Sequence, residues 1–244
     1  MATEWRKHVS NFQDMRFLHH ILAIAALLML CTGNKALAQR HYKPHVHVGV
    51  HGGMSMSRTS FYPSVKEQML NGFHGGVSFR YAEERHVGLL AELNITQRGW
   101  KEDLSDTPLE YHRRLTYIEL PVMTHIFFGS RVVKGFFNLG PQIGYMLSDG
   151  ITSNFDYADL AKVPEWPENH RSEQLDMKIT KRFDYGITAG AGVEFVIARR
   201  NCVYLEGRYY YGLGNIFPSS KKDYFSASRG SSILVTAGYR FRLR

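Results

Sequence analysis

The sequence predicts an all-β fold, namely an eight-stranded antiparallel transmembrane outer-membrane β-barrel with short periplasmic turns and long outer loops. Eight segments alternate apolar with small or polar residues, which is the period of two that strands require. Most of them exceed the usual length of about five or six residues and reach the roughly nine to eleven that a tilted strand needs to cross a bilayer. Long and short connections alternate between them, as in bacterial outer-membrane barrels.

The clearest segments are 136–147 (FFNLGPQIGYML) and 182–197, in which every second residue is apolar and the others are mostly small or polar. Pro121 interrupts one segment and predicts a bulge, because proline cannot donate a hydrogen bond to a sheet. The predicted strands are 46–56, 72–81, 87–98, 114–128, 136–147, 182–197, 202–212 and 232–243, and the long loops are 57–70, 99–112, 148–181 and 213–230.

A soluble lipocalin-like barrel or β-sandwich is the alternative, with the apolar faces turned inward. Its polar faces would then meet water and should be rich in lysine. Here the polar faces are rich in glycine and almost devoid of lysine, which favours a crowded lumen. No apolar run after the N-terminal region approaches 18 residues, so the sequence does not predict a helical membrane protein.

The N-terminal region reads as a cleaved signal peptide over residues 1–38. A basic stretch after Met15, which is a possible true start, precedes an apolar stretch and the small-x-small motif that ends at Ala38. We expect cleavage between Ala38 and Gln39, a short segment 39–45 and a barrel domain 46–244. A short membrane anchor is the alternative. Removal of the signal peptide would leave Cys202 alone, without an intramolecular disulfide.

Charged side chains of both signs fall on the polar faces of the predicted strands. An eight-stranded barrel is just wide enough for its interior to be filled by side chains, and a lone buried charge is costly. We therefore predict a salt-bridged plug in the lumen, with acid/base catalysis by paired carboxylates as the less favoured alternative. The predicted network comprises Glu92, Glu119, Glu194, Glu206, Arg80, Arg98, Arg208 and Arg240, and Arg242 lies on the same face.

Other chemistry finds little support in the sequence. His45, His47 and His51 share one strand face and could hold a metal, although such histidines more often lie at the wet periplasmic end of a strand. The sequence contains neither G-x-S-x-G nor H-E-x-x-H, and we expect no enzyme activity, cofactor or metal. The net charge of +8 would suggest nucleic acid in a cytosolic protein, but export argues against that partner.

Six stretches carry a resemblance to a known family, namely 92–100 (ELNITQRGW), 115–121 (LTYIELP), 137–147 (FNLGPQIGYML), 184–195 (DYGITAGAGVEF), 207–216 (GRYYYGLGNI) and 234–241 (LVTAGYRF). Together they resemble the PorT family of outer-membrane β-barrel proteins from the Bacteroidetes. The resemblance covers residues 45–244. It implies a component of the type IX (Por) secretion system, required for the secretion and maturation of cargo such as gingipain-type proteases.

The expected function is therefore a non-enzymatic secretion component in the cell outer membrane that acts through protein–protein contacts. The loop 148–181 and the segment 39–45 are the expected contact surfaces, because loops on a rigid scaffold usually carry recognition. The expected partners are other type IX secretion components, together with outer-membrane lipids and lipopolysaccharide. A small structural or adhesive surface barrel, which binds host or envelope ligands through its loops, is the alternative.

Overall fold

The computed structural model describes residues 45–82, 86–163, 166–167, 170–198, 200–219 and 223–243. The predicted signal peptide and the cleavage position between Ala38 and Gln39 lie outside these residues. The strands are β1 (His45–Tyr62), β2 (Glu67–Gln68), β3 (Leu70–Ala82), β4 (Val87–Glu102), β5 (Tyr111–Gly129), β6 (Val133–Ser153), β7 (Phe183–Ala198), β8 (Asn201–Gly212) and β9 (Ala227–Arg242). A 3₁₀ turn (Leu160–Lys162) and a short helix α1 (Glu173–Asp176) lie between β6 and β7.

The strands form one closed antiparallel ring. The hydrogen-bonded order is β2-β4-β3-β1-β9-β8-β7-β6-β5, and the pairing of β4 with β5 closes the sheet. Because β2 has only two residues and adds to the end of β4, the ring itself consists of eight strands. The fold class predicted from the alternation is therefore confirmed.

The two faces of the ring have opposite character. Apolar side chains on the outer face are exposed, for example Val50 at 58% and Phe73 at 69%, whereas Glu92 on the inner face is 2% exposed. A barrel with an apolar exterior and a polar interior is suited to an apolar surrounding such as a bilayer. In the described part of the chain, no helix has the length and apolarity to cross a membrane.

The strands are longer than predicted at the end of the barrel that carries the long connections. β1 continues to Tyr62 through residues 57–62, which the sequence analysis had assigned to a loop. β5 begins at Tyr111, β6 runs to Ser153 and β9 begins at Ala227. The prediction failed here because these extensions lie beyond the apolar band, so their outward residues are polar and the alternation disappears.

The predicted bulge at Pro121 is wrong. Pro121 is in register with Gln142 of β6, and the same register continues beyond it. The irregularity lies between Thr116 and Tyr117, which pair with Ser148 and Met146 and thus leave Leu147 as an extra residue. A proline can therefore omit its hydrogen bond without shifting the register of its strand.

Candidate functional site

The inner face of the barrel holds all eight charged residues that the sequence placed there. Each of them is at most 6% exposed. Several of the ion pairs cross the lumen, because Arg80 and Glu194, Arg208 and Glu92, and Arg98 and Asp184 lie on strands that are not neighbours in the ring. The side chains form three groups, which are described from the short-turn end to the long-loop end.

The first group surrounds Glu194 on β7. The Nη1 atom of Arg80 donates to its Oε2 at 2.6 Å, and the Nη1 atom of Arg240 donates to the same oxygen at 3.2 Å. The Arg240 guanidinium also lies 3.7 Å from the centroid of the Tyr204 ring. One carboxylate thus binds two guanidinium groups, and the Tyr204 ring further supports that of Arg240.

The second group reverses this arrangement around Arg208 on β8. Its Nη1 and Nη2 atoms donate to Glu92 Oε2 and Oε1 at 2.7 and 3.0 Å. Its Nε and Nη2 atoms donate to Glu206 at 3.0 Å each. Asn138 donates to Glu206 at 2.9 Å and contacts His125 at 2.6 Å, which links the first two groups.

The third group is centred on Arg98 of β4. Its Nε atom lies 3.0 Å from Glu119 Oε1, and its Nη2 atom donates to Asp184 Oδ2 at 2.9 Å. The guanidinium lies between the rings of Tyr117 and Tyr210, at 4.1 and 4.6 Å from their centroids. Asp184 lies outside the predicted network, because only its distance from Arg98 shows that it belongs there.

A hydrophobic cluster covers the network at the long-loop end. It is built from strand residues and from the last long connection, and comprises Phe61, Trp100, Leu115, Tyr117, Met146, Ile216, Phe217 and Phe225. The cavity between Arg98 and this cluster has a volume of about 10 Å³, which is at the lower limit of what one water molecule requires. The described lumen is therefore filled from the ion pairs up to this hydrophobic cluster.

Glu102 at the end of β4 fixes the long connection between β6 and β7 above this cluster. It accepts hydrogen bonds from Trp100 Nε1 at 3.0 Å and Gln174 Nε2 at 3.1 Å, and His170 Nε2 lies 2.9 Å away. Leu175 of α1 is fully buried beside them. Much of the connection that the sequence analysis treated as a contact loop is thus a structural lid.

A titratable carboxyl lies near this lid, outside the membrane-spanning region. Burial raises the pKa of Glu67 to about 7, although the Thr59 N–H, which donates to its Oε2 at 3.1 Å, opposes the shift. The sequence analysis missed Glu67 because nothing in its local pattern indicates that β2 folds against the end of β4.

The three histidines considered as metal ligands have separate surroundings. His51 contacts Asn94 at 2.9 Å, and His45 lies 2.8 Å from the Nη2 atom of Arg242. Among the described residues, no group of three or more His, Cys, Asp and Glu side chains could hold a metal ion. The structure therefore offers no support for the metal hypothesis.

A cavity of about 730 Å³ opens at the short-turn end of the barrel. Its walls include inward-facing His47 and Cys202 and residues of two turns. Glu194 of the first ion-pair group also lines it, and the opening is therefore the point at which the polar lumen meets solvent.

A closed ring of eight strands with an apolar exterior and a filled polar lumen defines an outer-membrane β-barrel protein. Residues 37–218, three quarters of the chain, match the family model described as outer membrane protein beta-barrel domain. The chain belongs to this family and is a protein of the outer membrane. No curated protein matches the sequence significantly.

Solved structures of small outer-membrane barrels are similar in fold. Ail, the attachment invasion locus protein of Yersinia pestis in complex with sucrose octasulfate, is 14% identical, with 80% of this chain and 99% of Ail covered and a TM-score of 0.39. Neisserial surface protein A is 13% identical, with coverage of 80% and 96% and a TM-score of 0.43. OprG of Pseudomonas aeruginosa is 8% identical, with coverage of 81% and 96% and a TM-score of 0.47.

Proposed function

We propose that this protein is a non-enzymatic component of the type IX secretion system that acts by holding partner proteins at the outer membrane. The observation that carries the proposal is the filled lumen, in which Arg80, Arg208 and Arg98 each bind carboxylates across the barrel. A barrel of this width has no room for a protein substrate. Its contribution to secretion is then made by its surfaces, and the resemblance of its strands to the PorT family supports the choice of system.

The buried acids also support a role without catalysis. Glu92 and Glu206 are both bound by Arg208 and at most 2% exposed, so a substrate does not reach them. Their arrangement serves stability, because each carboxylate offsets the cost of burying a guanidinium.

Lipopolysaccharide is the second proposed partner, and outward-facing cations at the long-loop end support it. Lys101 on β4 and Arg114 on β5 are diagonal neighbours, because Lys101 is directly opposite His112 and Arg114 lies two residues further along β5. Like charges at such positions repel one another unless anions lie between them. Glu110 is 3.8 Å from Lys101 but largely exposed, so phosphate groups of the outer leaflet would supply most of the neutralisation.

The adhesive surface barrel remains the second candidate. The observation in its favour is the ordered lid, in which Trp166 and Leu175 pack against strand ends and present a fixed surface at the long-loop end. Fixed surfaces bind with a smaller loss of conformational entropy than mobile loops do.

The decisive experiment is a clean deletion in the native host, with cell fractions probed for the precursors of secreted proteases. For a secretion component, we expect precursors to accumulate in the periplasm and protease activity to disappear from the surface. Re-expression of the full chain should restore both. Unchanged secretion combined with altered binding of host ligands would reject the secretion role and establish the adhesive one.

A further inference from the structure

The cavity at the short-turn end is strongly basic. Arg131, Lys134, Arg200 and Arg242 line it, and we call these four residues the basic mouth. Glu194 is the acidic residue among the lining residues of the described chain, and it already binds Arg80 and Arg240. Since short turns of bacterial barrels face the periplasm, the basic mouth opens into that compartment.

Three cations of the basic mouth, Arg131, Lys134 and Arg200, form no ion pair within the described residues. Lys134 is in register with Glu194 on the adjacent strand, yet that carboxylate is turned toward the lumen arginines. Arg131 and Arg200 are exposed at the rim, and no ion pair of the described chain includes them. Several cations that converge on one concave surface create a positive potential, which attracts an anionic ligand.

The backbone that presents these cations is held in place. In the turn before β6, Ser130 N–H donates to Val133 O at 2.8 Å, and the Ser130 hydroxyl accepts from Val133 N–H at 3.0 Å. Gly129 permits this turn, because its φ of +125° and the 2.6 Å approach of Val133 O exclude a Cβ atom. Arg242 N–H donates to Arg200 O at 2.7 Å and fixes the second turn. The site is therefore preorganised, which lowers the entropic cost of binding.

We propose that the basic mouth docks an acidic segment of a periplasmic protein partner. This inference rests on the proposed function, because it assigns to the secretion component the surface through which it holds its partner. A polypeptide fits better than a membrane lipid, since His47, Lys134 and Cys202 line the cavity from the inward face of the barrel. Lipid headgroups around the barrel would instead meet outward residues such as Phe128, which is 61% exposed.

The binding test uses the purified full-length protein in detergent micelles, with a fluorescein-labelled peptide of ten glutamates as the probe. The test variant carries Arg131→Glu, Lys134→Glu and Arg200→Glu. The control carries the same change in charge at the opposite end, through Arg58→Glu, Lys66→Glu and Arg229→Glu, all at exposed residues outside the loop 148–181. Retained heat-modifiable mobility on electrophoresis verifies that both variants are folded.

We expect the natural protein and the control to bind the peptide with affinities that fall as salt is raised, because ions screen such contacts. The test variant should bind at least tenfold more weakly. Equal affinities of the test variant and the control would overturn the proposal. So would a preference for vesicles that contain anionic phospholipid over the peptide, with the same dependence on the three residues, since it would show that the basic mouth binds lipid.

Complementation of the deletion strain separates this inference from the proposed function. If the deletion stops secretion and the test variant fails to restore it while the control does, the basic mouth is the docking surface. If both variants restore secretion, the secretion role stands and the docking inference is wrong. If the deletion leaves secretion intact, the proposed function fails, and the peptide measurement alone decides whether the basic mouth binds acidic segments.

Discussion

Arg208 on β8 and Glu92 on β4 face each other across the lumen and form a two-point ion pair, with N–O distances of 2.7 and 3.0 Å. Three strands, β3, β1 and β9, separate them along one side of the ring. The contact therefore ties opposite walls of the barrel and holds its cross-section at a fixed width.

Removal of the central cation tests this role. Arg208→Met leaves Glu92 and Glu206 buried without their common partner and should destabilise the barrel by about 3–5 kcal/mol. The measurement is the urea midpoint of unfolding in detergent, followed by tryptophan fluorescence. The triple variant with Glu92→Gln, Arg208→Met and Glu206→Gln removes the charges together and should recover most of the loss. A triple variant as unstable as Arg208→Met would show that packing, not charge, sets the effect.

Close approach of the strands makes certain glycines indispensable. A Cβ atom at Gly53 would lie 1.9 Å from Val235 O of the adjacent strand, whereas one at Gly207 would meet nothing within 4 Å. Because strands must shift to accept the methyl group, we expect Gly53→Ala to cost about 1–3 kcal/mol. Gly207→Ala should be neutral or stabilising by about 0.5–1 kcal/mol, since alanine suits a strand better. Similar unfolding midpoints for the two variants would contradict this account.

Glu67 gives the stability a dependence on pH. Its pKa rises from 4.5 to about 7 on folding, so the folded protein binds the proton more tightly than the unfolded chain. This stabilisation is complete below about pH 4.5 and is lost as the pH rises through about 7. Glu67→Gln should therefore reduce the fall in unfolding midpoint between pH 5 and pH 8. Glu110→Gln, a change at an exposed carboxylate, is the control and should preserve the natural profile.

Glu102 should control the release of the lid without affecting the barrel. In Glu102→Ala, Gln174 and Trp100 lose their common acceptor, and the connection that contains α1 should open. We expect trypsin to cleave at Arg171 and Lys178 at least tenfold faster, while heat-modifiable mobility is unchanged. Asp176→Ala, at an exposed position of α1, serves as the control. Unchanged cleavage in Glu102→Ala would show that the buried apolar residues hold the lid by themselves.

The sequence was sufficient to predict the ring of strands and to predict which side chains face outward and which face inward. Lipid on one side and a crowded lumen on the other impose a strict alternation, which is visible wherever strands cross the membrane, as from Tyr185 to Phe195. The same physics explains the errors. Above the apolar band the outward residues are polar, as at Arg58 and Ser60, so the apolar alternation does not mark the extension of β1 to Tyr62.

The residues of the candidate site could be predicted from the sequence, but the ion pairs that they form could not. Alternation along the strands was enough to place the side chains of Glu194 and Arg240 inside the barrel, because the period of two decides which face a residue occupies. Which arginine meets which carboxylate depends on the shear of the closed ring, and this cannot be read from one strand. Asp184 was missed for that reason, since its partner Arg98 comes from a distant segment.

The distribution of ion-pair partners along the chain constrains how the protein reaches its membrane. Arg80 and Glu194 are 114 residues apart, and Glu92 and Arg208 are 116 residues apart. A chain that inserted its strands one after another would carry Arg80 and Glu92 into the bilayer long before their counterparts arrived. Assembly must therefore proceed as a single cooperative event in which the last strands arrive before the first are committed to lipid.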